Sequence, residues 1–273
     1  MEKIRKITVK DIIKFKSEGK MISALTAYDH VFARILDEAG IDIILVGDSL
    51  GNVMLGYKNT LPVTMQEMII HTQAVARGVK KGLIVADMPF GSYQNGDAIA
   101  VKNAIDLAKA GAEAVKVEGI GYLSAISKII KTGIPVMGHL GFTPQSVNEL
   151  GYRIQGKDRI SALKLFADAK KIEKAGCFAL VLEMVPEELA KKISKALKIP
   201  VIGIGAGNAV DGQVLVTYDL LGLYDDAPGF VKQTANLKPE IIKAIKKFIV
   251  RPYLTCPAYR QAGGRQGSNV ERP

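Results

Sequence analysis

Four short apolar runs in this chain each end on an ionisable side chain, and each is followed by a turn and then a helical pattern. IDIILVGDS closes on Asp48 and Ser49, LIVADMPFGSY carries Asp87, AVKVEG presents Lys116 and Glu118, and FALVLEMVP presents Glu183. Runs this rich in Val, Ile and Leu read as parallel strands buried on both faces, where charge is tolerated only at the strand's exit. In a parallel α/β protein those exits share one rim, so residues far apart in the chain converge on one ligand. The pattern restricts the chain to α/β architectures and puts its chemistry at one end of the sheet.

The alternation runs the length of the chain. A short amphipathic helix is expected at 8–19, with Val9, Ile12, Ile13 and Phe15 on its apolar side. Strands are expected at 21–29, 42–48, 83–88, 114–118, 135–141, 178–184, 200–207 and 212–219. The intervening helices stop at glycines such as Gly40 and Gly111, one starts on Pro186 as a first-turn residue, and the last spans 238–250. Two long loops, 49–62 and 142–158, interrupt the rhythm. Eight strands alternating with helices favour a single (β/α)8 TIM barrel over a doubly wound sheet, with the N-terminal helix covering the barrel bottom. Residues 1–250 contain no linker and read as one catalytic domain. Residues 251–273 lack an apolar period and carry Gly, Arg and Pro as a disordered or foreign tail would.

Composition narrows the setting. No apolar run approaches the roughly 18 to 20 residues of a membrane span, and the charged N-terminus lacks a signal peptide's apolar segment. Cys177 and Cys256 form no CxxC, as expected of a reduced cytoplasmic protein without disulfides. The net charge is +10, of which the tail, with four arginines against Glu271, supplies +3. The lysines lie mostly on helix faces, and no RNA-binding signature accompanies them. A solvated surface is therefore expected, not a nucleic-acid or membrane partner.

Strand alternation predicts that Ile44, Val46 and Asp48 share a side, as do Leu83, Val85 and Asp87, Lys116 and Glu118, and Val181 and Glu183. Two aspartates with Glu118 beside them make an oxygen-rich site for a hard cation. Mg²⁺ suits it, taking one or two carboxylates and leaving positions for substrate and water; zinc would want a His/Cys cluster. Like charges converging there would repel without a cation. Lys116 either neutralises a substrate carboxylate or forms a Schiff base, and its acidic neighbours favour the charged ammonium and the first role. His139 either binds substrate or is a structural histidine. GIGAG at 203–207 reads as a tight turn, since Asn208 breaks a dinucleotide GxGxxG.

ILVGDSLG, TLPVTMQEMIIHTQAV, VADMPFGSY, AVKVEG, PVMGHLGFTPQS, FALVLEMVP and GIGAGNAVDGQVLV together resemble the ketopantoate hydroxymethyltransferase family over 8–250. The resemblance implies a TIM barrel that moves a hydroxymethyl group from 5,10-methylenetetrahydrofolate, a cosubstrate, to 3-methyl-2-oxobutanoate in pantothenate synthesis. It implies a Mg²⁺-stabilised enolate, magnesium-site positions at Asp48, Asp87 and Glu118, and ketoacid-binding positions at Asp48, Ser49, Asp87 and Lys116. It also implies Glu183 as proton acceptor and a homo-oligomer, often a decamer of dimeric pairs. The chain departs from the family at LGYRIQG and GNAVDG, both in loops. The rival readings are a Schiff-base aldolase built on Lys116 and a non-catalytic binding barrel; neither needs three acids around one cavity.

Overall fold

The computed structural model describes residues 5–250; among them, eight parallel strands close into one barrel in chain order. They are β1 (Ile22–Thr26), β2 (Ile43–Val46), β3 (Leu83–Asp87), β4 (Ala114–Glu118), β5 (Val136–Gly141), β6 (Ala179–Glu183), β7 (Val201–Ile204) and β8 (Gly212–Leu215). β8 returns to β1 in parallel register, Val214 opposite Ala24. The helices are α1 (Val9–Ser17), α2 (His30–Ala39), α3 (Leu50–Val53), α4 (Met65–Ala76), α5 (Asp97–Lys109) and α6 (Leu123–Lys131). They continue with α7 (Val147–Leu150), α8 (Arg159–Lys174), α9 (Glu187–Ala196), α10 (Thr217–Leu220) and α11 (Leu237–Val250). No helix among the described residues is long and apolar enough to cross a membrane. The tail expected at 251–273 lies outside the described residues.

The strands are apolar on both faces because both are covered. Ile43, Leu83, Val85, Ala179, Val181 and Ile202 fill the barrel interior, while Ile44, Val46, Ile84, Val115, Leu180 and Leu182 pack outward against the helices. This is the fully buried pattern of a parallel sheet. The first helix closes the bottom as expected. Thr8 caps it reciprocally with Asp11, and Ile12 is wholly buried in the interior cluster, worth roughly 1.5–3 kcal/mol. Lys16 Nζ ties the helix to α9 and the start of β8, 2.8 Å from Asp211 Oδ2 and 2.7 Å from the Ser194 carbonyl.

Several local expectations change. Most strands are shorter than expected by one to four residues, at one end or both. β7 passes to β8 through 205–211 with no helix between them, as their expected spans implied, and β8 is followed by the single turn α10 before α11. Pro186 occupies the N-cap of α9, one residue before the first helical position. The long loops contain the short helices α3 and α7, too brief for a periodicity argument to detect.

Candidate active site

All seven residues singled out in the sequence line one inner cavity of about 110 Å³ at the C-terminal end of the barrel: Asp48, Ser49, Asp87, Lys116, Glu118, His139 and Glu183. β3 and β4 place Asp87 opposite Lys116 in register, β4 and β5 place Glu118 opposite His139, and β5 and β6 place Gly141 opposite Glu183. Lys116 Nζ sits at the centre, 3.2 Å from Asp87 Oδ1, 3.1 Å from Glu118 Oε1 and 3.2 Å from His139 Nδ1. His139 spans two carboxylates, with Nδ1 3.1 Å from Glu118 Oε1 and Nε2 3.3 Å from Glu183 Oε2.

Asp48 reaches this group by a route that alternation does not give. Ile44 and Val46 face the helices, whereas Leu83 and Val85 face the interior, so continued strand geometry would carry Asp48 outward. The ladder stops at Val46 instead, and a turn at Gly47 swings Asp48 inward, its backbone N–H donating to Asp87 Oδ2 at 3.0 Å. The turn is tight at Gly47: a Cβ there would crowd Ser49 Oγ at 2.8 Å. Ser49 Oγ in turn meets the Tyr28 hydroxyl at 2.8 Å.

Glu183 is fixed by its backbone. A Cβ at Gly141, whose φ is +93°, would collide with the Glu183 carbonyl, and that carbonyl accepts from Phe142 N–H at 2.8 Å. Met184 follows at φ +48°, a left-handed conformation that costs a non-glycine residue about 1–3 kcal/mol and concentrates at functional sites.

Burial raises the Asp48 carboxyl well above the usual carboxylate range, and Asp87 and Glu118 add to the effect. Burial also raises Asp87, against the opposing pull of Lys116. Burial works against an ionised Glu118, yet Lys116 and His139 outweigh it and draw its carboxyl to about 2. The Lys116 ammonium likewise loses solvation, but Asp87, Glu118 and Asp48 hold it above the ordinary lysine range. Burial and Lys116 push His139 down; Glu118 and Glu183 win, raising it to about 9. Part of the mutual repulsion expected of the carboxylates is therefore relieved by the chain's own cations.

What remains fits a hard cation at the two aspartates. Asp87 Oδ1 is buried with the Lys116 ammonium at 3.2 Å but no hydrogen bond, and Asp48 has no cationic side chain within ion-pair distance among the described residues. Glu118 stands behind them, since Oε1 meets Lys116 and His139 and Oε2 accepts from Gln145 N–H. Accordingly, no group of three or more His, Cys, Asp or Glu side chains among the described residues is placed to hold a metal ion. Two carboxylates completed by substrate and water are nonetheless a normal Mg²⁺ set.

Sequence reasoning missed Gln145. From the loop after β5, its Nε2 donates to Asp48 Oδ2 at 2.8 Å and to the Met88 carbonyl at 2.9 Å, while Oε1 accepts from Tyr93 OH at 2.6 Å. Only its place in the PVMGHLGFTPQS stretch marked it, because a neutral amide in a loop carries no charge or period to notice.

The fold and site define an enzyme of the TIM-barrel class, with a buried, charge-compensated centre at the strand exits. The chain matches the family model for ketopantoate hydroxymethyltransferase over residues 6–251. It is 54% identical over 252 residues to the 3-methyl-2-oxobutanoate hydroxymethyltransferase of Thermoanaerobacter sp. (strain X514), covering 91% of each chain. It is 52% identical over 248 residues to the enzyme of that name from Pyrococcus furiosus, covering 90% of this chain and 87% of the relative. This chain belongs to the ketopantoate hydroxymethyltransferase family. Among solved structures it shares the fold of phosphonopyruvate hydrolase in complex with oxalate and Mg²⁺ (TM-score 0.61, 12% identity, 89% of this chain and 86% of that one). It also shares the fold of the phosphoenolpyruvate phosphomutase from Streptomyces platensis subsp. rosaceus (TM-score 0.62, 13% identity, 89% and 86%).

Proposed function

We propose that this protein transfers a hydroxymethyl group from 5,10-methylenetetrahydrofolate to 3-methyl-2-oxobutanoate, giving ketopantoate for pantothenate and coenzyme A synthesis. The carrying observation is the convergence of the Lys116 ammonium, the Asp48–Asp87 pair and the Glu183 carboxylate on one small cavity. Family membership supports the same reading. The cavity, about 110 Å³, is of a scale that suits a small branched ketoacid.

Asp48 and Asp87 would hold Mg²⁺, with Glu118 behind them, and the ion would supply Lewis-acid polarisation of the 2-oxo group. Lys116 and Ser49 receive the ketoacid carboxylate, and His139 borders the same pocket while holding Glu183 in place. Glu183 takes the proton from C3, leaving an enolate. C3 of the enolate attacks the methylene carbon of the donor, and the bonds from that carbon to the folate nitrogens break. Water supplies the hydroxyl oxygen, and the folate nitrogens take up protons to give tetrahydrofolate. The Schiff-base alternative needs a neutral Lys116, which the surrounding carboxylates oppose. A cytoplasmic homo-oligomer, decameric as in the family, belongs to the same proposal.

The test is product analysis with purified protein, ketoacid, methylenetetrahydrofolate and Mg²⁺. Ketopantoate should form, EDTA should abolish turnover, and added Mg²⁺ should restore it. Borohydride with ketoacid should leave the enzyme active. Full activity in chelator or covalent trapping on Lys116 would select the Schiff-base mechanism.

A further inference from the structure

The inner cavity opens into a wider hollow of about 830 Å³, and the two share Asp48, Ser49, Pro144, Glu183, Ile204 and Val216. That volume is in the range of sites that enclose drug-sized ligands. Its walls are aromatic. The loop after β5 brings Phe142 and Tyr152, whose ring centroids are 5.2 Å apart, and the loop after β8 brings Phe230, whose ring lies against the backbone of Gly205. β6 and β7 separate these loops around the barrel, so the rings stand on different sides of the mouth. Among the described residues, Tyr152 and Phe230 are solvent-exposed, so both rings are open to a ligand in the hollow.

α10 contributes the polar counterpart. Asp219 lines this hollow yet is only 4% exposed, and no cationic side chain pairs with it among the described residues. Its Oδ1 accepts from the Tyr224 hydroxyl, and Oδ2 makes no hydrogen bond among the described residues. A carboxylate so buried is costly to keep without strong donors. The catalytic steps above do not use it.

We infer that the outer hollow seats the pterin ring of the one-carbon donor and that Asp219 is its anchor. The inference rests on the proposed hydroxymethyl transfer. A pterin presents its 2-amino group and N3–H as two parallel donors, and an ionised carboxylate has about four acceptor positions to meet them beside the tyrosine bond. The flat bicycle stacks on the aromatic walls. Lys58, exposed at the rim of the same hollow, faces the carboxylates of the donor's glutamyl tail. The shared wall brings the donor's methylene carbon to the inner cavity.

The test is calorimetric titration of the full-length protein with 5-formyltetrahydrofolate, an unreactive analogue, and with 6-methyltetrahydropterin, which lacks the tail. Asp219→Asn should weaken both by about 10-fold or more, since the amide sets an N–H against the pterin's donors. Phe230→Ala should weaken both by about 5-fold. Lys58→Ala should weaken only the tail-bearing ligand. Ketoacid affinity with Mg²⁺, measured on each variant, should stay at the wild-type value. If Asp219→Asn does not fold, Phe230→Ala and Lys58→Ala decide. Wild-type folate affinity in the variants, while the wild-type enzyme makes ketopantoate, would overturn the subsite and leave the function standing. Parallel loss of ketoacid and folate binding would also overturn it, as the mark of a structural role. A wild-type enzyme that makes no ketopantoate from the donor would overturn the functional reading, and this inference with it.

Discussion

Gln145 touches Asp48, Tyr93 and the Met88 carbonyl with its side chain and Glu118 with its backbone N–H, so one neutral residue joins the exits of β2, β3, β4 and β5. Its backbone bond to Glu118 would survive a side-chain change, whereas its hold on Asp48 would not. Gln145→Met should therefore weaken Mg²⁺ binding by about 10- to 100-fold while the protein still folds; calorimetry with Mg²⁺ and ketoacid checks this. Glu183 has a different office. Glu183→Gln should keep the fold and the ketoacid affinity but lower kcat by about 10²-fold or more. The discriminating readout is folate-independent exchange of the C3 hydrogen of 3-methyl-2-oxobutanoate with solvent deuterium, which the wild type should catalyse and the variant should not. Normal exchange in the variant would remove Glu183 as the base.

At the scale of elements, the barrel was largely legible because its strands are apolar on both faces and end in charge. β4 matches its expected span residue for residue, and Asp87, Lys116, Glu118 and Glu183 face inward as their strand parity requires. Asp48 shows where parity fails. Its strand faces the other way, and a glycine turn, a tertiary event with no periodic signature, corrects the direction. The capture of Gln145 by Asp48 escaped for the same reason. Gly141 makes the dependence testable. Its φ of +93° and its approach to the Glu183 carbonyl leave no room for a methyl group. Gly141→Ala should displace β6 relative to β5 and lower kcat more than ketoacid affinity, with a stability loss of about 1–3 kcal/mol by urea denaturation. Unchanged kcat would mean that Glu183 is positioned from elsewhere.

At the scale of the whole molecule, the last of the described helices has no partner among the described residues. α11 has no buried residue and exposes Ile241, Ile242, Ile245, Phe248, Ile249 and Val250. An apolar face of that extent is the kind that another subunit covers. In the proposed homo-oligomer, changing Ile245 and Phe248 together to lysine should shift the protein to smaller species in sedimentation velocity. An unchanged distribution would exclude this face from the assembly.

The plugged barrel bottom has a temporal consequence. Ile12 and the interior apolar layers close the inner cavity from below, and its mouth is the floor of the outer hollow. A molecule seated in the outer hollow is therefore a stopper on whatever lies beneath it. Substrates should enter in a compulsory queue, ketoacid before folate, and tetrahydrofolate should leave before ketopantoate. Stopped-flow measurements should find ketoacid dissociation slowed by saturating 5-formyltetrahydrofolate, and the folate should protect the ketoacid in a chase. Equal dissociation rates with and without the folate would mean a second door into the barrel.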